Sequence, residues 1–405
     1  MNDHFKAVKV SDHVWWVGAI DWDIRDFHGY MTKRGSTYNA YLITADKVTL
    51  MDTVKAPFRD EMMARIASVI NPGDIRYIVS NHSEMDHSGC LPEVIDAVRP
   101  DKVYASVMGA KTLNEIFHKD LPLTPLKDGD SLSLGNMTLS FMETRMLHWP
   151  DSMFSYLADE QVLFSQDAFG MHLASSQRFD DEVDPAVLRY EAATYFANIL
   201  TPYTALITKL LARVATAGLK FRIIAPDHGP VWRKDIQGIL GRYAGWAAQE
   251  KARKAVVVYG TMWHSTEKMA QAITEGLAAG SVDVKLMSMD ACHRSDVAYE
   301  VLDAAALIAG SSTLNNNMLP GMADILTYLA GLKPKNLLGA AFGSYGWSGE
   351  ASRQIQTMLT DLKVELMGDP VQTRHRPDRA VLSQCFDLGR LMAEKIHEKA
   401  TGMNS

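Results

Sequence analysis

Short apolar runs broken by turn residues dominate the first 230 positions. Trp15-Trp16-Val17-Gly18-Ala19 and Tyr38-Asn39-Ala40-Tyr41-Leu42-Ile43 read as strands, as do residues 75–79, 137–142, 161–164 and 221–225. Helical segments are interspersed, one opening at Leu91-Pro92-Glu93-Val94-Ile95. This pattern predicts a layered α/β sandwich. Residues 236–254 predict one helix bridging two domains, with Glu250, Lys251, Arg253 and Lys254 gathered near its C-terminal end. Gly238, Gly241 and Gly245 weaken its first half. The rhythm then changes to strands at 255–259, 282–286, 305–309 and 336–342. A helix runs to about Ala279 and another closes the chain around 388–399. Alternating strands and helices predict a parallel, doubly wound sheet, so the expected domains are 1–250 and 251–405.

The densest chemistry follows the run at 75–79. His82-Ser83-Glu84-Met85-Asp86-His87 places two imidazoles and two carboxylates in six positions. On an extended segment His82, Glu84 and Asp86 share a face, while His87 points elsewhere and could reach a second ion. The plainer reading is a polar loop capping a helix, with Ser88 and Gly89 ahead of Leu91. His148, Asp167 and His228 weigh against it. Each sits in a loop-like context beside a short strand-like run, and strand-end loops delivering such side chains to one sheet edge assemble an open metal site.

Bulk properties narrow the classes. A chain of 405 residues exceeds one ordinary core, and 47% hydrophobic content supplies two. A net charge of −7 without a basic stripe argues against nucleic acid as a partner. Met1-Asn2-Asp3-His4-Phe5 does not read as a leader, and no run approaches a membrane span, so a cytoplasmic protein is expected. Cys90, Cys292 and Cys385 stand far apart with no C-x-x-C. That argues against a disulfide framework, a zinc ribbon or a fused rubredoxin-type iron site.

In a doubly wound sheet, ligands bind beyond the carboxyl ends of the strands. The first such loop, Gly260-Thr261-Met262-Trp263-His264-Ser265-Thr266, opens a helix with hydroxyls and no Lys, which suits a phosphate held by neutral donors. It is neither a Walker loop nor G-x-G-x-x-G, which disfavours nucleoside triphosphates and NAD. The second, Ser311-Ser312-Thr313-Leu314-Asn315-Asn316-Asn317, and the third, Gly343-Ser344-Tyr345-Gly346-Trp347-Ser348-Gly349, add amides and aromatic faces suited to a flavin. Taken singly, each loop could be an ordinary capped connection.

Several separate segments together resemble the flavodiiron proteins, the family of rubredoxin:oxygen oxidoreductases, over nearly the whole chain. They are Asp26-Phe27-His28-Gly29-Tyr30, the run at 82–87, Leu147-His148-Trp149-Pro150-Asp151-Ser152-Met153, Asp167, Pro226-Asp227-His228-Gly229 and the three later loops. The resemblance implies a metallo-β-lactamase-like αββα domain holding two non-haem irons, followed by a flavodoxin-like domain holding FMN. One iron would take His82, Glu84 and His148, the other Asp86, His87 and His228, with Asp167 bridging. Some members leave the imidazole at the position of His87 off the metal. His28 and Tyr195 become candidate donors near the substrate pocket, and Trp149 a candidate lining residue. A structural histidine or a core aromatic remains the alternative for the first two.

FMN contacts would come from Thr261, Met262, Trp263, His264, Ser265 and Thr266, then Ser311, Thr313, Leu314, Asn315 and Asn316, then Ser344, Tyr345, Gly346, Trp347, Ser348 and Gly349. Where many relatives have glycine closing the second loop this chain has Asn317, which tolerates positive φ. Hydrolases of the superfamily carry H-x-H-x-D-H. Glu84 replaces the second imidazole with a harder anionic donor that suits cycling iron.

The implied activity is reduction of O2 to water, of NO to N2O, or both, with electrons from a rubredoxin through FMN. The implied assembly is a head-to-tail homodimer, or a dimer of such dimers. Competing readings are a zinc-dependent hydrolase with an accessory flavodoxin domain and a pure electron carrier. The 22 methionines read as core filler, Cys90 as a buried helix residue, and His118, His172, His264 and His293 as surface or loop histidines.

Overall fold

Alternation along the strand Tyr77–Ser80 sets the first layers. Tyr77 and Val79 join a core shared with a second sheet, while Ile78 joins a separate core under helices on the opposite face. This is a strand buried on both sides. The structure, a computed structural model, describes residues 4–402. The first sheet orders its seven strands Val8–Lys9, Val14–Trp16, Tyr41–Ile43, Thr49–Met51, Tyr77–Ser80, Lys102–Ser106 and Leu123–Leu126. The second orders Ser131–Ser133, Thr138–Glu143, Met153–Leu157, Val162–Gln166 and Ile223–Pro226. Trp16, Tyr41, Phe141 and Phe164 fill the space between them. Met62 and Ile66 of helix Arg59–Ala67 and Leu91 and Val94 of helix Leu91–Val98 cover the outer face of the first sheet.

Two expected strands are split. The run from Trp15 divides into Val14–Trp16 and Ala19–Asp21, and the run from Tyr38 into Ser36–Tyr38 and Tyr41–Ile43. The breaks face each other: a Cβ on Gly18 would lie 2.8 Å from Asn39 Cα, and Asn39 N donates to Asp227 O at 2.7 Å. The chain changes partners here instead of continuing in one ladder.

The second sheet system is parallel in the order Asp283–Ser288, Ala252–Gly260, Ala304–Leu314, Leu338–Tyr345, Glu365–Leu366. Val371–Arg374 also pairs in parallel with Leu338–Tyr345. Val256, Val258, Leu307 and Ala309 pack one face against helices Pro320–Leu332 and Glu350–Asp361. Val257, Ile308 and Phe342 pack the other against Ser265–Ala279 and Arg379–Gly402. This is the expected doubly wound sheet, with a 2-1-3-4-5 order.

By contacts, the chain forms two compact units. One comprises the residues up to Tyr195 with Ala205–Ala244, the other Phe196–Thr204 with everything from Gly245. Asn198 explains the detour: its amide donates to Ser295 O at 3.3 Å and accepts from Tyr328 at 2.8 Å.

The expected helix at 236–254 ends at Ala248. Gln249 turns left-handed, and Ala252 N bonds Asp303 O at 2.7 Å, so pairing with the strand at Ala304 draws residues 252–254 into Ala252–Gly260. The closing helix is longer than expected, Arg379–Gly402. Among the described residues no helix is long and apolar enough to cross a membrane. The leader reading rests partly on residues 1–3, outside the described residues.

Candidate functional site

Strand ends of both sheets in the first unit converge on one cluster. After Tyr77–Ser80 the chain bends, is extended at Glu84, whose ψ is 146°, and then forms a helical turn at Met85–Ser88. Asp167 directly follows Val162–Gln166, His228 lies just beyond Ile223–Pro226, and His148 precedes Met153–Leu157. The side chains sort into His82, Glu84, His148 and Asp167, and into Asp86, His87 and His228, with ligand atoms in each group within 4.8 Å of one another.

This corrects the expected alternation. The helical turn removes Asp86 from the face of His82 and Glu84 and places it with His87, whose ring lies within the cluster. Asp167 joins the groups. Its Oδ2 lies 3.2 Å from His82 Nε2 and 3.0 Å from His148 Nε2, and its Oδ1 3.3 Å from His87 Nε2 and 3.4 Å from His228 Nε2. Glu84 Oε2 faces His82 at 3.2 Å and His148 at 3.1 Å.

A second ring of groups orients these donors. His82 Nδ1 lies 3.2 Å from Asp151 Oδ2, which also accepts from Ser83 N and Oγ. His228 Nδ1 donates to Thr37 O at 2.6 Å. Asn39 Nδ2 holds the loop carrying His228 through Pro226 O and Gly229 O, at 2.7 and 2.9 Å. Gln166 donates to Leu147 O next to His148, and its Oε1 accepts from Asp167 N. Such partners fix ring orientation and donor basicity.

The three residues named for the substrate pocket lie around the cluster. His28 sits on a two-residue turn between Asp26–Phe27 and Tyr30–Met31, its side chain 73% exposed while Nε2 lies 2.9 Å from Glu84 Oε1. Trp149 stands edge-on to His82 with centroids 5.3 Å apart. Tyr195 is buried, 6.0 Å from the His228 ring.

His172 is a correction. It is fully buried, 4.7 Å from the His228 ring, with Nδ1 on Ser36 Oγ at 2.8 Å. Burial, with His228 adding to it, holds it well below its ordinary pKa. Only the loop after Asp167 hinted at this. Cys90 is buried as expected, and His118 and His264 are exposed.

The charges fit a cation site. Burial opposes ionisation of Asp167, yet the close imidazoles of His82, His148 and His87 hold the carboxyl well below its usual range. For Glu84, hydrogen bonds from His148, His28 and His82 likewise outweigh burial. Both oxygens of Asp86 and of Asp167 and both nitrogens of His87 are buried without a hydrogen-bond partner. Orphaned buried carboxylates are costly unless a cation completes them. Mixed carboxylate and imidazole donors around two adjacent pockets match a pair of transition metals such as iron.

The second unit has a cavity of about 490 Å3 beyond its strand ends. Met262, Trp263 and Ser265 line it from the first loop, Thr313 to Asn316 from the second, and Ser344 to Ser348 from the third. Ser311, Thr313, Leu314, Ser344 and Tyr345 prove to be strand residues, because Ala304–Leu314 and Leu338–Tyr345 run further than expected. Thr261, His264, Thr266, Ser311 and Gly349 stand outside the lining, while Ser312, His375 and Arg376 lie within it.

Thr266 Oγ1 ties the three loops together through Ser312 Oγ at 3.0 Å and Ser344 Oγ at 2.8 Å. The left-handed turn falls on Asn315 and Asn316, not on Asn317, which pairs with Leu314 in a two-residue hairpin. Trp263 and Trp347, 86% and 87% exposed, offer indole faces, and Thr261 Oγ1 is buried without a partner. A planar aromatic ligand with a phosphate at the start of helix Ser265–Ala279 fits these features.

Comparison with known proteins agrees with both halves. The family model for ODP family beta lactamase matches residues 37–229, and that for flavodoxin matches 257–389. The chain is 45% identical to the nitric oxide reductase of Moorella thermoacetica, covering 96% of this chain and 99% of that one. The solved rubredoxin oxygen:oxidoreductase from Desulfovibrio gigas superposes with a TM-score of 0.96 at 43% identity, covering 98% and 100% of the two chains. The flavodiiron protein from Giardia intestinalis gives 0.94 at 31% identity, covering 98% of each. The fold is thus a metallo-β-lactamase-like domain followed by a flavodoxin domain. Since this likeness runs through both the carboxylate–imidazole cluster and the cavity-bearing sheet, the chain belongs to the flavodiiron protein family.

Proposed function

We propose that the protein reduces O2 to water, NO to N2O, or both, at a non-haem di-iron centre, with electrons delivered by a rubredoxin through FMN. The observation that carries this reading is Asp167, one carboxylate turning one oxygen to each of two donor groups, with Glu84 completing the first. His82, Glu84 and His148 would hold one iron, Asp86, His87 and His228 the other, and Asp167 both. When bound, two ferrous ions and one reduced flavin would together supply four electrons, the number O2 needs to become water. His28, at the rim beside Glu84, is positioned to hold a proton at Nε2. Tyr195 and Trp149 wall the pocket. The relatives named for nitric oxide reduction and for rubredoxin-dependent oxygen reduction support both substrates.

A rubredoxin is the electron donor in this reading, in keeping with the relative named rubredoxin-oxygen oxidoreductase. A cytoplasmic, head-to-tail homodimer is part of the same reading, each flavin serving its partner's irons.

The test is anaerobic stopped-flow of the FMN- and iron-loaded protein, reduced by rubredoxin and mixed separately with O2 and NO. Fast oxidation of flavin and iron by either gas is expected, and the faster gas names the preferred substrate. Slow reaction with both, with zinc as the bound metal, would overturn the reading in favour of a hydrolase.

A further inference from the structure

The cavity wall of the second unit is almost uncharged. Its lining is hydroxyls, amides, aromatic rings and apolar side chains, with no Asp, Glu or Lys among the described lining residues. Arg376 is the permanent charge in that lining, with His375 beside it.

Two features fix where this charge stands. The first is sheet order. Ala252–Gly260, Ala304–Leu314, Leu338–Tyr345 and Val371–Arg374 lie side by side in that sequence. The segment after Arg374 therefore leaves the sheet three strands from the 261–266 loop, about 14 Å at ordinary strand spacing. A phosphate bound at the start of helix Ser265–Ala279 would therefore lie at the far end of the cavity from Arg376. The second is local anchoring. Arg374 Nε donates to Gly346 O at 2.8 Å and His375 N to Tyr345 O at 2.7 Å, so residues 374–376 are tied to the third loop, which carries Trp347.

We infer that Arg376 tunes the bound flavin by holding a positive charge at the ring end of the cavity, stabilising reduced FMN over oxidised FMN. This rests on the reading of the cavity as an FMN site. Two electrons, arriving singly from the rubredoxin, and one proton from solvent convert neutral isoalloxazine to the anionic hydroquinone, so reduction adds one negative charge to the ring. A nearby cation favours that product and raises the potential. Because Arg376 is exposed, the effect has the size of a partly screened ion pair and weakens with salt.

The experiment is spectroelectrochemical titration of FMN bound to the intact protein, with FMN affinity measured in both redox states. Arg376→Gln is expected to lower the ratio of reduced to oxidised FMN affinity about fivefold. Arg376→Glu should lower it further, and Arg376→Lys should stay close to wild type. The wild-type potential should also fall as ionic strength rises, while that of the Gln variant stays flat. Equal loss of affinity for both redox states, or unchanged potentials in the Gln and Glu variants, would overturn the inference while leaving the FMN reading intact. A wild-type chain that takes up no FMN would overturn both.

Discussion

His82 Nδ1 lies 3.2 Å from Asp151 Oδ2, and that same oxygen accepts from Ser83 N at 2.6 Å and Ser83 Oγ at 2.7 Å. One buried carboxylate thus holds both the imidazole and the turn that leads on to Glu84. Asp151→Ala removes the acceptor and strands three donors, so affinity in the pocket of His82, Glu84 and His148 should fall about 10- to 100-fold. Anaerobic iron titration should show two equivalents per chain in the parent and one tight equivalent in the variant, with FMN content unchanged. Asp151→Asn, which keeps an oxygen for Ser83, should lie between them. Two tight equivalents in both variants would remove Asp151 from this role.

Glu84 serves three imidazoles at once: Oε2 faces His82 and His148, and Oε1 accepts from His28 at 2.9 Å. Glu84→His exchanges an anionic oxygen donor for a neutral nitrogen and leaves His28 without its partner. Gas reductase turnover should drop at least about tenfold, with FMN retained and zinc competing better for the site. Turnover at the parent rate would show that the carboxylate is not what suits the centre to iron.

The donor residues were legible because each falls at a strand end, where local pattern and chemistry coincide. How they partition follows from the family resemblance and not from the local pattern. Asp86 joins His87 only because the chain turns helical at Met85, and a run of alternating polar residues carries no sign of that turn. His172 shows a different limit. Its burial depends on Phe27, Tyr30 and Tyr195, all distant in sequence, whose rings lie 4.8 to 5.3 Å away. The charges at 250–254 suit a helix end, but pairing with Ala304–Leu314 outweighs that local preference. Arg376 is hard to read from sequence because Val371–Arg374, which delivers it, is only four residues long. Even so, its alternating Val-Gln-Thr between two helices was a usable signal.

Helices Ser265–Ala279 and Arg379–Gly402 touch backbone to backbone. A Cβ on Gly276 would lie 2.9 Å from the carbonyl carbon of Phe386 and 3.1 Å from Arg390 N. In an open helix, Gly→Ala gains up to about 1 kcal/mol from propensity. Here overpacking costs about 1–3 kcal/mol and cannot be relieved by a side-chain shift, so it prevails. Gly276→Val should lower the thermal midpoint clearly, and Gly276→Ala less so. Gly331→Ala, in helix Pro320–Leu332 with nothing within 4 Å, should raise it slightly. A rise for both Gly276 variants would mean that the helices can separate without loss.

Lys251 gives a pH dependence of defined sign. Burial, with Lys254 adding to it and Asp303 opposing it, lowers its pKa from 10.5 to about 8, while Nζ donates to Leu302 O at 3.1 Å. Between about pH 8 and 10.5 the unfolded chain therefore carries a proton that the folded chain lacks, and this residue's contribution makes stability rise with pH. Below that window the folded state bears the whole penalty of the half-buried ammonium. Above it, both states are neutral and the penalty is gone. Lys251→Met should accordingly be more stable than the parent near pH 7, by about 1–2 kcal/mol after allowance for partial exposure. The two denaturation midpoints should converge as pH rises through the window, because the penalty removed by the substitution is by then absent from the parent as well. A difference constant from pH 7 to 10.5 would show that Lys251 titrates in the folded protein as it does in the unfolded chain.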